Sequence, residues 1–424
     1  MADTKQQAQK RPGALGFIFV TVLIDTMGLG IIIPILPTLL EQLGHVGVSM
    51  ASQYSGYLTF TYATMQFVCA PILGNLSDRY GRRPVLLISL VGFGIDYLFM
   101  GFAPSIFWLF IGRFIAGVAG ASTTTATAYI SDVSSGDKRA ANFGLIGAAT
   151  GLGFILGIGL GGFLGGVFIR LPFFVAGGLA FINAIYGYFV LPESLSVENR
   201  RKFEFERANP VGSLLRLRHY SLAVSTLITA YTIVYIGQKA VESVLPFYVV
   251  EKFHWSESSI GALGIFLGLL IVGVQGGLVR WTIPKFGLRK NILAGIAFYG
   301  IGLVLISFNN IPWMMYLVMI PYCMGGIGGT ALQGFISEHV SPKEQGELQG
   351  ALTSLVSVTT IIGPLMMTSI FHRFTSPDAK VHFPGAPFLL GAIMMGLAII
   401  LTIRSFKKKD PKLLTEKAGT IPNH

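Results

Sequence analysis

"GNLSDRYGRRPVLL" (Gly74–Leu87) interrupts two long apolar runs with one acid, three arginines and two glycines. A turn this short forces the flanking runs to double back on each other. The same turn recurs in the chain. At a shift of 206 residues, "DRYGRRPVLL" falls on "PKFGLRKNIL" (284–293), pairing Arg79 with Lys285, Gly81 with Gly287 and Arg83 with Arg289. In the same register "ISDVSSGDKRAANFG" (130–144) falls on "ISEHVSPKEQGELQG" (336–350), so two separate windows share one repeat. A parallel internal repeat with a site at its interface is a transporter architecture.

The composition agrees. Of 424 residues, 52% are hydrophobic and only 12% charged, about half the charged share of a soluble domain. Runs long enough to cross a bilayer, about 20 residues each, are expected at 14–40, 55–74, 84–103, 105–129, 143–166, 172–192, 221–249, 259–281, 290–308, 312–335, 349–371 and 384–403. The fold class is therefore all-α membrane protein, with twelve transmembrane helices in two six-helix halves. Residues 1–192 form the first half, 193–218 a polar linker containing Pro210, and 219–424 the second half with its tail. The first run is too long for a signal-peptide core and is expected to be retained.

The net charge of +11 reports topology. Of the 31 Lys and Arg, 25 fall in the two tails and every second loop, the bias that places such loops and both termini in the cytoplasm. Nucleic acid is not an expected partner. Cys69 and Cys323 lie within apolar runs and form no disulfide framework. No zinc spacing, phosphate-cradling loop or nucleophile elbow is present, so an enzyme or an ATP-driven pump is not expected.

The Gly74–Leu87 turn resembles the loop between the second and third helices of the major facilitator superfamily. "DTMGLGIIIPILP" (25–37), "GRFIAGVAGA" (112–121), "GIDYLF" (94–99), and the glutamines of "TMQF", "IGQ" and "ALQG" resemble its drug/proton antiporters, and among them the tetracycline efflux proteins. The resemblance implies that Gly74, Asp78, Arg79, Gly81, Arg82 and Arg83 form a gate that latches the cytoplasmic faces of the halves in the outward-open state. A topogenic basic loop accounts for the arginines but not for Asp78 with flanking glycines. Three positions depart from the family: Ile158 stands where the fifth helix has proline, Ile271 where the tetracycline exporters have a histidine, and Tyr299 where they have an aspartate.

Five ionisable residues fall inside the runs: Asp25, Asp96, Arg113, Lys239 and Glu242. Each costs about 2.5–3.5 kcal/mol at a helix centre, so partners or water are required. At about 1.5 Å per residue, Asp25, Asp96 and Arg113 lie near the midplane. Asp25 is the candidate proton carrier, because a carboxyl desolvated from one side and hydrated from the other binds and releases a proton within one cycle. Arg113 is expected to compete with that proton, a static ion pair being the alternative. Asp96 divides between coupling and structural hydrogen bonding. Lys239 and Glu242, three apart, share a helix face and divide between coupling and an outer-gate role. Tyr62, Gln66, Gln238, Gln275, Tyr322 and Gln333 offer hydrogen bonds and stacking to a flat amphiphilic molecule, though any one is more often an interhelical contact.

The expected function is proton-coupled efflux of amphiphilic, tetracycline-like drugs or related metabolites by alternating access, with the proton gradient as driving force and no cofactor or metal. The expected partners are the substrate, protons and the lipid bilayer, the expected state a monomer in a bacterial inner membrane. An importer or facilitator of a polar metabolite, suggested by Ile158, and a non-transporting receptor on the same fold are the alternatives.

Overall fold

The computed structural model describes residues 13–120, 122–134, 136–203, 221–341 and 344–407. Residues 204–218 of the expected linker, Lys5, Lys10, Arg11, Lys343 and the tail beyond Lys407 lie outside the described residues. Among those described, every element is helical: α1 (Gly13–Ile32), α2 (Leu36–Gly44), α3 (Val48–Tyr80), α4 (Arg82–Phe102), α5 (Ile106–Ala119), α6 (Ser122–Val133), α7 (Gly136–Val167), α8 (Leu171–Val190), α9 (Leu222–Phe253), α10 (Glu257–Gly273), α11 (Val279–Phe308), α12 (Met314–Met324), α13 (Gly326–Glu338), α14 (Gln345–Thr375) and α15 (Ala386–Lys407). A one-turn 3₁₀ segment, Val197–Asn199, follows α8, and a π-turn, Val274–Leu278, joins α10 to α11.

Helix covers most of each expected segment among the described residues, and ten stretches are long and apolar enough to cross a membrane. The stretch Glu257–Phe308 counts once among the ten, although Gly287 (φ 75°, ψ 164°) breaks its helical path. α3 has the length but is rich in Ser, Thr, Tyr and Gln and falls outside the ten.

Backbone chemistry divides three expected spans. The first is cut at 33–35, where Ile33 and Ile35 N–H reach back only three residues, to Gly30 and Ile32 carbonyls at 3.2 Å. Pro34 sits in this turn and has no N–H to continue an α-helical ladder. The fourth is interrupted after Ala119, and the tenth at Gly325, four residues after Pro321.

The repeat is written in the backbone. Among the described residues the positive-φ glycines are Gly81 (109°) and Gly287 (75°), 206 apart, and the positive-φ side-chain residues are His45 (49°) and His254 (54°), 209 apart. Each histidine closes a helix, α2 or α9, in the left-handed conformation that commonly ends helices.

By packing, the chain forms two compact units, Met1–Pro210 with Pro246–Leu269, and Val211–Leu245 with Leu270–His424. In the first, α7 lies along α1 through Gly153, Gly157 and Gly161, where a Cβ would strike the carbonyl oxygens of Leu23, Met27 and Ile31. Both series step by four, so the two backbones touch along one face each. The other face of α7 meets α10: Ile155 fills the space at Gly268, Ile158 that at Gly264, and Gly162 abuts Gly261. Ser258 Oγ donates to the Gly162 carbonyl at 3.2 Å, and Thr38 Oγ1 to Glu257 Oε1 at 2.6 Å. Ile158, the departure from proline, is thus a knob matched by a missing side chain opposite.

In the second unit, Gly295 of α11 meets the backbone of Gly328, Gly302 that of Tyr322, and Gly237 of α9 meets Met395 and Gly391 of α15. Gly157→Leu is expected to lower the detergent thermal midpoint sharply, since overpacking costs about 1–3 kcal/mol and backbone here cannot yield. Gly151→Leu, with nothing within 4 Å of its Cβ position, should leave the midpoint unchanged.

Candidate functional site

The first unit gathers most of the expected midplane residues. Arg113 of α5 donates through Nη2 to Asp96 Oδ2 of α4, and both side chains are buried. Gly112 makes this approach possible: a Cβ there would lie 2.7 Å from Asp96 Oδ1. The Arg113 guanidinium also lies 5.6 Å from the Tyr62 ring centroid, within cation–π range. Gln66, one turn along α3 from Tyr62, donates from Nε2 to the Tyr62 hydroxyl and to the Gly120 carbonyl, each at 3.2 Å.

Asp25, 7% exposed on α1, lies within electrostatic reach of the Tyr62 and Tyr97 phenols, as do Asp96 and Arg113. The Tyr97 hydroxyl occupies the space beside Gly28, three residues after Asp25. The cluster is therefore Asp25, Tyr62, Gln66, Asp96, Tyr97 and Arg113, from α1, α3, α4 and α5. Tyr97 was not among the expected site residues. The available signal was its place beside Asp96 in the middle of an apolar run.

In the second unit, Lys239 Nζ donates to Glu242 Oε2 at 2.5 Å. The aliphatic stem of Lys239 lies on Gly363, where a Cβ would come within 2.6 Å of it. Glu242 is within electrostatic reach of Tyr299 and Tyr322, whose rings meet edge-on at 5.2 Å. Tyr299, where the family resemblance leads one to expect an acid, thus places a hydroxyl in this cluster. Gln238 is half-buried on α9, and Gln275 is exposed in the π-turn. Gln333 lies on the following helix, α13, with its amide given to Gln349 Oε1 at 2.9 Å. Gln349 in turn donates to Ser337 Oγ at 3.0 Å.

The Gly74–Leu87 turn is a charge network. Gly81, at φ 109°, ends α3 and starts α4 in a conformation glycine adopts at no steric cost. Arg82 Nη1 bonds Asp78 Oδ1 at 2.5 Å and Ser77 Oγ at 2.6 Å, and its Nε bonds Asp132 Oδ2 at 3.2 Å. Arg83 donates to the Tyr188 carbonyl. Arg79 is exposed and stacks near Tyr80, 5.0 Å from its centroid, and Gly74 accepts from Ser77 Oγ at 2.7 Å.

Glu193, just after α8, completes the network and was not anticipated. Its carboxylate accepts from the backbone N–H groups of Arg82 at 2.8 Å and Arg83 at 3.3 Å, and from those of Ser194 and Leu195 at 3.0 and 3.1 Å. It caps α4 from a distance in sequence, satisfying N–H groups that a helix start leaves without partners. Beyond it, Arg201 N–H donates to the Asp78 carbonyl at 3.1 Å. A cavity of about 530 Å³ opens between Asp78, Arg82, Asp132, Glu198 and Arg200–Arg201. Glu193→Ala should lower the thermal midpoint, the loss of a helix cap costing about 0.5–2 kcal/mol, while Glu193→Gln should retain part of it.

The chain matches the model of the Major Facilitator Superfamily over residues 18–286 and 227–420. It is 40% identical over 385 residues to the tetracycline resistance protein, class C, of Escherichia coli, covering 91% of this chain and 95% of that protein. It is 34% identical over 399 residues to the class H protein of Pasteurella multocida, covering 93% and 97%. The crystal structure of the nucleoside transporter NupG superposes with a TM-score of 0.71 at 13% identity, over 93% of this chain and all of that one.

Proposed function

This chain belongs to the Major Facilitator Superfamily, and on that premise we propose that it is a secondary transporter that exports tetracycline-like amphiphilic drugs in exchange for protons. The observation that carries the reading is the cluster around Asp25. A buried carboxyl, an arginine already held by a second carboxylate, and a glutamine–tyrosine pair meet at mid-depth of helices long enough to span a bilayer.

Each group has a role that its chemistry suits. Asp25 carries the proton: buried, it holds one at modest cost, and once water reaches it from the other side it releases it. The Asp96–Arg113 pair compensates its own charge inside the cluster without a mobile counterion, and its guanidinium lies over the Tyr62 ring face. Gln66, its amide donors engaged, offers its carbonyl oxygen to hydroxyl and amide groups of a planar ligand, and Tyr62 offers a stacking surface. In the second unit Glu242, with Lys239 tethered to it, is a second charged group able to respond to substrate or proton. The Asp78–Arg82–Asp132 network is the gate, with Glu193 fixing the helix start it works against.

The basic ends of the helices face the cytoplasm of a bacterial inner membrane, supported by the lysine and arginine bias of the loops. The gradient supplies the driving force, with each proton across one pH unit worth about 1.4 kcal/mol. The test is flux in proteoliposomes. Tetracycline should accumulate when a proton gradient is imposed and equilibrate when an ionophore collapses it. Accumulation that ignores the gradient would remove proton coupling.

A further inference from the structure

The turn before Gly287 repeats the Gly81 turn in backbone and departs from it in chemistry. In the first unit the arginines meet acids of the protein: Asp78 and Asp132 on Arg82, and Glu193 on the helix start. At the repeat shift Pro284 replaces Asp78 and Leu288 replaces Arg82. The stretch "VRWTIPKFGLRKNIL" (279–293) holds four cations, Arg280, Lys285, Arg289 and Lys290, and no acid.

Among the described residues none of the four forms an ion pair, and all four are exposed. Arg289 is flanked by aromatic rings of its own unit, 5.7 Å from the Phe335 centroid and 5.3 Å from that of Phe406. Lys285 stands over Trp281 at 4.7 Å and Phe286 at 5.5 Å, and these two rings are themselves 57% and 44% exposed. Exposed cations beside exposed aromatic rings at a membrane helix end match the headgroup region, where tryptophan settles and anionic lipid attracts lysine and arginine.

We propose that this turn is a docking surface for an anionic phospholipid, whose phosphate meets Arg280, Lys285 and Lys290 while its upper acyl region meets Trp281 and Phe286. The second repeat then takes from the bilayer the negative charge that the first takes from Asp78 and Glu193, while Glu338, at the repeat position of Asp132, forms no ion pair with these cations among the described residues. Uncharged soluble partners do not fit a surface whose accessible polar groups are all cationic.

The experiment uses the full chain in nanodiscs, with Trp108, Trp255 and Trp313 replaced by phenylalanine so that Trp281 alone reports. Brominated phosphatidylglycerol and brominated phosphatidylcholine are compared as quenchers at equal mole fraction. Each nearby cation adds roughly fivefold to attraction for an anionic surface, so the glycerol lipid should quench as though enriched at least about threefold. The preference should vanish in the triple variant Arg280→Gln, Lys285→Gln, Lys290→Gln, and should survive millimolar inorganic phosphate. Equal quenching by the two lipids, a preference that persists in the triple variant, or its loss to free phosphate would each overturn the proposal. Should the triple variant not fold, Lys285→Gln alone must reduce the preference, and an unchanged value counts against it. The readout requires no transport, so it stands apart from the test of drug export.

Discussion

Asp25→Asn should reduce proton-driven tetracycline accumulation in proteoliposomes to equilibrium. One proton per cycle across one pH unit supports about a tenfold substrate gradient, and an amide in place of the carboxyl carries no proton to supply it. Exchange of labelled for unlabelled tetracycline needs no net proton movement and should continue, which separates lost coupling from lost folding. Asp25→Glu should restore part of the gradient. Asp25 is singled out because it is buried on α1 within electrostatic reach of the Tyr62 and Tyr97 phenols; Asp96, also buried, holds the Arg113 guanidinium. An Asp25→Asn chain that still concentrates drug against a gradient would place the carrier elsewhere, and Glu242 would be the group to test next.

Asp78→Asn should lower net flux at least about tenfold while membrane level and thermal midpoint stay near wild type. The Asp78 side chain is 38% exposed, and an ion pair in such a setting contributes only about 0.2–1 kcal/mol to stability. Arg82 would keep Asp132 and Ser77, so the turn should hold its shape. What changes is the charge balance on Arg82, and with it the balance between the two states of the gate. Normal flux would reduce the turn to a topogenic loop. A large drop in midpoint would mark Asp78 as a structural residue instead.

Local spacing was enough for some of this. The Lys239–Glu242 pair could be read directly, because residues three apart share a helix face, and it forms at 2.5 Å. The two turns could be read because only short polar insertions with glycine join membrane helices so tightly, and Gly81 and Gly287 both take the positive φ that such turns need. The Asp96–Arg113 pair joins different helices, and the spacing of seventeen residues says nothing about which cation meets which acid. Glu193 escaped notice for the same reason: its partners, the N–H groups of Arg82 and Arg83, are backbone atoms more than a hundred residues earlier.

Hydropathy also ran together what the backbone separates. The run 14–40 reads as one helix because apolar residues dominate it from end to end, yet the chain turns at 33–35, where Pro34 has no N–H to give. Ile158 looked like damage to a motif, and its fit became visible only with Gly264 opposite it. The residues alone determined that the chain lives in a bilayer, that it is built on a repeat and where its buried charges stand, since these follow from transfer energies and periodicity along the chain. Which charges neutralise one another, and which side chains fill which gaps, was decided only when distant helices packed, because close contact and the loss of water arise between segments and are not properties of any one of them.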